Sequence, residues 1–302
     1  MANEEKWLFL VDTNVFLDFY RYPGEPAKRQ LDGLLKHKQS LIVTEQLHME
    51  YLKNRQKVIA ENLKKSLGVD RLGSLPSLLA DSKFGRATAK ADRALDVRMR
   101  KLRSYADNVL VKPGAYDSVY KTAVKIFRSE HAWNLKRPNK LRYEIRESAQ
   151  RRFSLGYPPR KAADTSIGDA INWEWIIHCA TNAAHTPNIL IVSRDGDFGV
   201  TQGKTTVLND WLKWEFKNRV KGRRRIELTT KLTDALRKLD EQVTLKDEEI
   251  ENQVIDSWKN EPDVRLSDLS PDNAFLNYLR YYEKLKAPLD FERKFADPSA
   301  VE

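Results

Sequence analysis

Short apolar runs alternate along the chain with longer stretches in which apolar positions recur every three or four residues, and the alternation appears at both ends. "WLFLV" (7–11), "LIVT" (41–44) and "NILIVS" (188–193) have the length and composition of buried strands. Between them, "AKRQLDGLLKHK" sets Leu31, Leu34 and Leu35 at helical spacing, and a long helix is expected from near Glu45 to about Leu67, where Gly68 offers a stop. "SIGDAINWEWIIHCATNAA" reads as a helix ended by Pro187. "TVLNDWLKWEFKNRV" reads as an amphipathic helix with Trp211, Leu212 and Trp214, and "RRRIELTTKLTDALRKL" as a last strand and helix. Strands separated by helices predict an α/β fold with a parallel sheet covered on both faces. No internal repeat or low-complexity tract interrupts the pattern.

Charge sharpens this picture. The 302 residues carry 53 Lys and Arg against 43 Asp and Glu, a net charge of +10, which favours polyanionic partners. The whole excess lies between Lys83 and Lys161, where 21 bases meet 7 acids in stretches such as "VRMRKLR", "KRPNKLRYEIR" and "QRRFSLGYPPRK". A solvated helical face is the plainer reading of a charge run. The size and confinement of this excess favour nucleic-acid contact instead, through Arg137, Lys140, Arg142, Arg151, Arg152, Arg160 and Lys161, joined by Arg194 further on. Pro113-Gly114, Pro138 and Pro158-Pro159 punctuate the segment as a helical insertion. One cysteine, Cys179, allows no internal disulfide, and "MANEEKW" has neither a secretory pattern nor an anchor, so a soluble cytoplasmic protein without a membrane partner is expected.

The candidate chemistry is acidic. "ILIVSRDGDF" ends an apolar strand in Asp195 and Asp197 around a glycine. Asp-Gly is also a hairpin signal. A hairpin would pair Phe198 onward with the preceding strand, whereas a ligand loop would lead away toward "TTVLN". Asp12 follows "WLFLV" in the same relation, and in open parallel sheets ligands bind beyond the carboxyl ends of the strands. Glu50 lies in the helix after "LIVT", with Lys53 or Asn54 as ordinary partners, while Glu45 is explained by the helix dipole alone. Asp169 could complete a capping box begun by Ser166. Four such acids in one cleft would repel unless a cation neutralised them. Oxygen ligands without a cysteine or histidine cluster select Mg²⁺ or Mn²⁺. Three other motifs carry less. "GVTQGKTT" is one residue short of a phosphate-binding loop, "DTNVF" has Asn14 where an aspartate-nucleophile phosphatase needs Asp, and the five histidines show no zinc spacing.

In order and context, "LVDTNVFLD", "TEQLHMEY", "SIGDAINWEWI" and "IVSRDGDF" resemble the four acidic motifs of PIN-domain nucleases, in particular the longer bacterial PIN-like proteins with a helical insertion before the third motif. The resemblance covers roughly residues 6–62 and 160–236. It implies a Rossmann-like α/β/α sandwich that cuts phosphodiester bonds, usually of RNA, with one or two divalent ions. By that match Asp12, Glu50, Asp169 and Asp195 are the catalytic, metal-holding acids, Asp197 is a further acid of the last motif, and Thr13 and Asn14 are the polar pair after the first Asp. Asp12 and Asp195 would bind the principal ion, although Asp195 and Asp197 compete for that role. Asp169 would bind or orient, and Glu50 would complete the shell or accept a proton from water. The expected organisation is a discontinuous core (1–62 and 160–238), a basic helical insertion (63–159) and an acidic helical C-terminal extension (239–302) containing "KDEEIENQ" and "FLNYLRYYEKL". The expected activity is that of a Mg²⁺- or Mn²⁺-dependent endoribonuclease, RNA ahead of DNA, acting as a toxin or defence effector. The alternative is an inactive nucleic-acid-binding scaffold or interaction module on the same fold. A homodimer, and a protein partner on the C-terminal extension, stay open.

Overall fold

The computed structural model describes residues 6–22, 24–67, 76–160, 166–183, 187–203, 205–222 and 224–260. Lys161, Gly68, Lys204, Arg223, His185 and "FLNYLRYYEKL" therefore lie outside the described residues. The strands are β1 (Trp7–Val11), β2 (Leu41–Thr44), β3 (Asn134–Leu135), β4 (Asn188–Val192), β5 (Gly199–Gln202), β6 (Thr205–Leu208) and β7 (Ile226–Thr229). The helices of the first half are α1 (Thr13–Asp18), α2 (Gly24–Lys36), α3 (Glu45–Leu67), α4 (Ser77–Ala80), α5 (Lys83–Val111), α6 (Pro113–Tyr116) and α7 (Ser118–Phe127). They are followed by α8 (Leu141–Ser154), α9 (Gly168–Asn182), α10 (Asp210–Arg219), α11 (Leu232–Lys238) and α12 (Leu245–Asn260).

Five strands form a parallel sheet in the order β3-β2-β1-β4-β7, flanked by helices, as a PIN-like α/β/α fold requires. β1 and β4 occupy its centre, paired from Trp7↔Asn188 to Val11↔Val192. Their near-continuous apolar runs are explained by cover on both faces, and Phe9, Leu10, Ile189 and Ile191 are fully buried. From β1 the chain builds outward through β2 to β3, then returns to β4 and builds to β7 on the other side. Strand order thus reverses between β1 and β4, and the crevice beyond their carboxyl ends is the expected ligand position.

Several local expectations are corrected. The basic stretch is not helical throughout, because it supplies the edge strand β3, paired to β2 through Val43↔Asn134 and Thr44↔Leu135. The same stretch packs α7 on α2 and α8 on α9. Its other long helix, α5, buries only Gly85 and Ala106. "TVL" is the strand β6 rather than helix, and α10 starts after it, with Asn209 Oδ1 accepting the Trp211 N–H at 2.9 Å. The Asp-Gly hairpin does not form: β4 pairs with β1 and β7, and the chain leads away into the separate β5-β6 hairpin. Gly199 is required there, since a Cβ would stand 2.1 Å from the Val207 carbonyl oxygen. "GVTQ" and "TT" on either side of Lys204 pair as antiparallel strands, which removes the phosphate-loop reading. Among the described residues no helix is long and apolar enough to cross a membrane.

Candidate active site

The end of β1 delivers Asp12 into the crevice. Its backbone N–H donates to the Val192 carbonyl across the sheet at 2.9 Å, and its carboxylate caps α1 by accepting the Thr13 N–H at 2.6 Å. The other oxygen, Oδ2, accepts from Ser193 Oγ at 2.6 Å and from Asn14 Nδ2 at 3.0 Å. Asn14 also accepts the Arg194 N–H at 3.3 Å, and Ser193 Oγ accepts the Asp195 N–H at 3.1 Å. The loop after β4 is thereby tied to the loop after β1. Glu50, on the second turn of α3, accepts from Gln46 Nε2 at 2.6 Å and from Thr13 Oγ1 at 3.4 Å.

Asp169 enters from the first turn of α9. The capping-box expectation fails, because no side chain caps α9 and Ser166 Oγ only receives the Gly168 N–H at 3.2 Å. Gly168 has a different purpose. A Cβ on it would lie 2.4 Å from Glu50 Oε1 and 2.8 Å from Gln46 Nε2, so a side chain here would push the tips of Glu50 and Gln46 out of their present positions.

The resulting field is strongly negative. Burial, offset in part by the Ser193 hydrogen bond and reinforced by Asp195 and Glu50, pushes the Asp12 carboxyl up to about 7. Burial pushes Asp169 well above the usual carboxylate range, and Asp12, Asp197, Glu50 and Asp195 each push it further. Glu50 is raised by burial, against its bonds to Gln46 and Thr13 and the more distant charge of Lys53. All five acids therefore act within one cluster, and the main influences on Asp12 and Asp169 include no cation. Among the described residues no three acidic, histidine or cysteine side chains are gathered closely enough, as they stand, to hold a metal ion. The donor set nevertheless fits a hard divalent cation, because it is all oxygen and multiply charged.

Two residues expected to touch nucleic acid are structural. Arg194 is buried, its Nε on Asp18 at 3.0 Å and its Nη2 on Glu251 at 2.8 Å. Glu251, on α12, also accepts the N–H groups of Leu232 and Thr233 at the start of α11. Arg194, the residue between Ser193 and Asp195, is thus clamped by α12. Arg152 is buried between Glu174, at 2.9 Å, and Glu215. Neither guanidinium is offered to a phosphate. Arg160 is half-buried, donating to the Phe153 carbonyl at 2.7 Å, while Lys140 and Arg151 are exposed. Arg137 and Arg142 line a cavity of about 210 Å³ with Gln46, Met49, Tyr143 and Arg146. Through Gln46 this cavity borders the acidic cluster.

Sequence reasoning missed Ser193, Gln46, Gly168 and Glu251. Ser193 had a visible signal, as the one polar residue of "NILIVS" beyond its first position. The other three act through contacts that depend on tertiary packing.

Neither the curated proteins nor the solved structures yield a match to this chain. The family profile of the PIN domain matches residues 10–198, a span that begins in β1, runs through α9 and β4 and ends just after Asp197, so that it contains all five acids. The chain belongs to the PIN-domain family.

Proposed function

We propose that this protein is a metal-dependent nuclease that hydrolyses phosphodiester bonds at the carboxylate cluster beyond β1 and β4. PIN domains are generally nucleases that use divalent metals. The observation that carries the reading is the burial of Asp12 and Asp169 against other carboxylates, without a cation among the main influences on either. Asp12, Glu50, Asp169, Asp195 and Asp197 would hold the ion. When bound, Mg²⁺ or Mn²⁺ would supply a water of lowered pKa and charge neutralisation at the phosphate.

The chain's own residues prepare this site. Ser193 and Asn14 on Oδ2, and the Thr13 N–H on Oδ1, fix the orientation of the Asp12 carboxylate. Thr13 and Gln46 hold Glu50 over the Gly168 gap, and partial burial of the cluster strengthens every charge interaction within it. Arg142 and Arg146 in the adjoining cavity supply positive charge for the flanking phosphates, Arg137 there is paired with Glu45 at 3.4 Å, and Tyr143 and Met49 supply apolar surface. RNA ahead of DNA, endonucleolytic cleavage and a role as toxin or defence effector are the finer reading, supported by the family resemblance.

The test is cleavage of matched RNA and DNA substrates in Mn²⁺, with and without EDTA, by the native chain and by Asp12→Asn. The native chain should cleave in metal only, and the variant should lose at least about a hundredfold of that rate while staying folded. Full activity in Asp12→Asn, or no cleavage of any substrate by the native chain, would replace this reading with an inactive scaffold.

A further inference from the structure

α10 lies beyond the residues that the PIN-domain profile matches. Leu212 and Phe216 give it a buried face, at 0% and 3% exposure. Trp211 and Trp214 point elsewhere and are 40% and 58% exposed. They are not scattered: their ring centroids are 5.0 Å apart with planes 35° from parallel, and Tyr157, 39% exposed, continues the row at 5.1 Å from Trp211. Three large rings in contact with one another and with water form an apolar patch that packing of α10 does not require.

The start of α10 is tied to the loop that carries Asp195 and Asp197. Asn209, the cap of α10, donates its N–H to the Phe198 carbonyl at 2.9 Å, and Phe198 directly follows Asp197. Lys217 is exposed on the same helix and Arg151 on α8, from which Tyr157 follows, while Lys213 is paired with Asp210 at 3.4 Å. Rings with open faces next to lysine and arginine suit a polymer that carries both flat aromatic groups and regularly spaced negative charge. Unpaired bases stack on such rings regardless of their identity, whereas a duplex keeps its bases stacked on each other and gains nothing.

We propose that Tyr157, Trp211 and Trp214 form a stacking platform for unpaired bases of a nucleic-acid strand whose backbone passes the acidic cluster. The inference rests on the nuclease reading and gives its substrate a strandedness and a second point of contact. Cations on both flanking elements favour this occupant over a protein.

The experiment uses the full chain carrying Asp12→Asn, in EDTA, so that cleavage plays no part. Mixed-sequence 12-nucleotide RNA and DNA single strands, and a duplex of the same length, are titrated with anisotropy and tryptophan emission as readouts. Single strands should quench the emission and bind more tightly than the duplex. Trp211→Ala and Trp214→Ala should each remove part of the quenching and weaken single-strand binding about tenfold, with the salt dependence of binding unchanged because stacking is not ionic. Trp211→Phe, which keeps a ring, should retain most of the affinity and controls for folding.

Wild-type affinity in both alanine variants, a duplex bound as tightly as the single strand, or no binding of any strand would overturn the platform. So would loss of self-association or of a protein complex in the alanine variants without loss of strand binding. Normal cleavage by the native chain together with unaffected binding in the alanine variants would sink the platform alone. Strand binding that depends on the rings, in a native chain that does not cleave, would sink the nuclease reading and leave the platform standing.

Discussion

Asp12 and Asp18 stand at the two ends of the same short helix, both buried, and the protein treats them in opposite ways. Asp18 is held by two arginines, Arg194 and Arg21, each at 3.0 Å. Asp12 receives only neutral donors and is surrounded by other acids. The contrast extends across the molecule. Glu174 has Arg152 and Arg219, Asp117 has Arg55, and Glu251 has Arg194. A lone buried carboxylate costs several kcal/mol, by order of magnitude, and pairing it with arginine is the usual remedy. Among the described residues this chain applies the remedy to the buried acids Asp18, Asp117, Glu174 and Glu251 and withholds it from Asp12 and Asp169, where it keeps acids that the fold alone would not select.

The comparison can be broken most forcefully from the paired side. Arg152→Ala leaves Glu174 and Glu215 with Arg219 as their remaining cation, and should cost about 3–5 kcal/mol in denaturant unfolding. A cost under about 1 kcal/mol would mean the buried pairs are not structural.

The unpaired side should respond to pH with the opposite sign from a salt-bridged acid. The folded-state pKa of Asp12 is raised from 3.8 to about 7, so its contribution to stability is complete below 3.8 and is lost as pH rises toward 7. Asp169 and Glu50 shift in the same direction. In EDTA the native chain should therefore lose stability across this window, by an amount on the order of 4 kcal/mol from Asp12 at most. Asp12→Asn should lose less and be the more stable protein at pH 8. Equal pH profiles for the two would show that the acids are not in conflict.

A smaller effect joins the two regions. Glu251→Gln keeps the shape of the clamp on Arg194 but removes its charge, and should cost about 1.5–3 kcal/mol. It should also speed amide exchange in the loop from Arg194 to Phe198 and lower cleavage through poorer placement of Asp195. Unchanged exchange in that loop would detach α12 from the site. The smallest change is expected at the surface. Arg137→Ala and Arg146→Ala should leave stability within about 0.5 kcal/mol, and each should reduce the salt dependence of single-strand binding by about 0.7 in log-log slope.

Much of this arrangement was legible in the sequence, for identifiable reasons. Apolar runs such as "WLFLV" and "NILIV" can only be buried strands in a chain of this kind, and acids directly after such runs must share one edge of the sheet. β3 was hidden because two residues, Asn134 and Leu135, carry no periodicity. Arg152 and Arg194 misled for a deeper reason. A guanidinium beside a basic stretch or an acidic loop looks the same whether it faces phosphate or a glutamate 57 residues away, as Glu251 is from Arg194. Gly168 was silent because its meaning lies in what another helix places where a side chain would be. Sequence thus disclosed which acids gather, and only packing disclosed that Asp12 and Asp169 are buried with no cation among their main influences.

The most direct test is the thermal unfolding of the native chain and of Asp12→Asn at pH 8 as Mn²⁺ is added. The native chain should gain stability logarithmically with metal concentration above its dissociation constant, while Asp12→Asn, already relieved of one charge, should start higher and gain much less. No gain in the native chain, or the same gain in both, would contradict a carboxylate cluster reserved for a divalent ion.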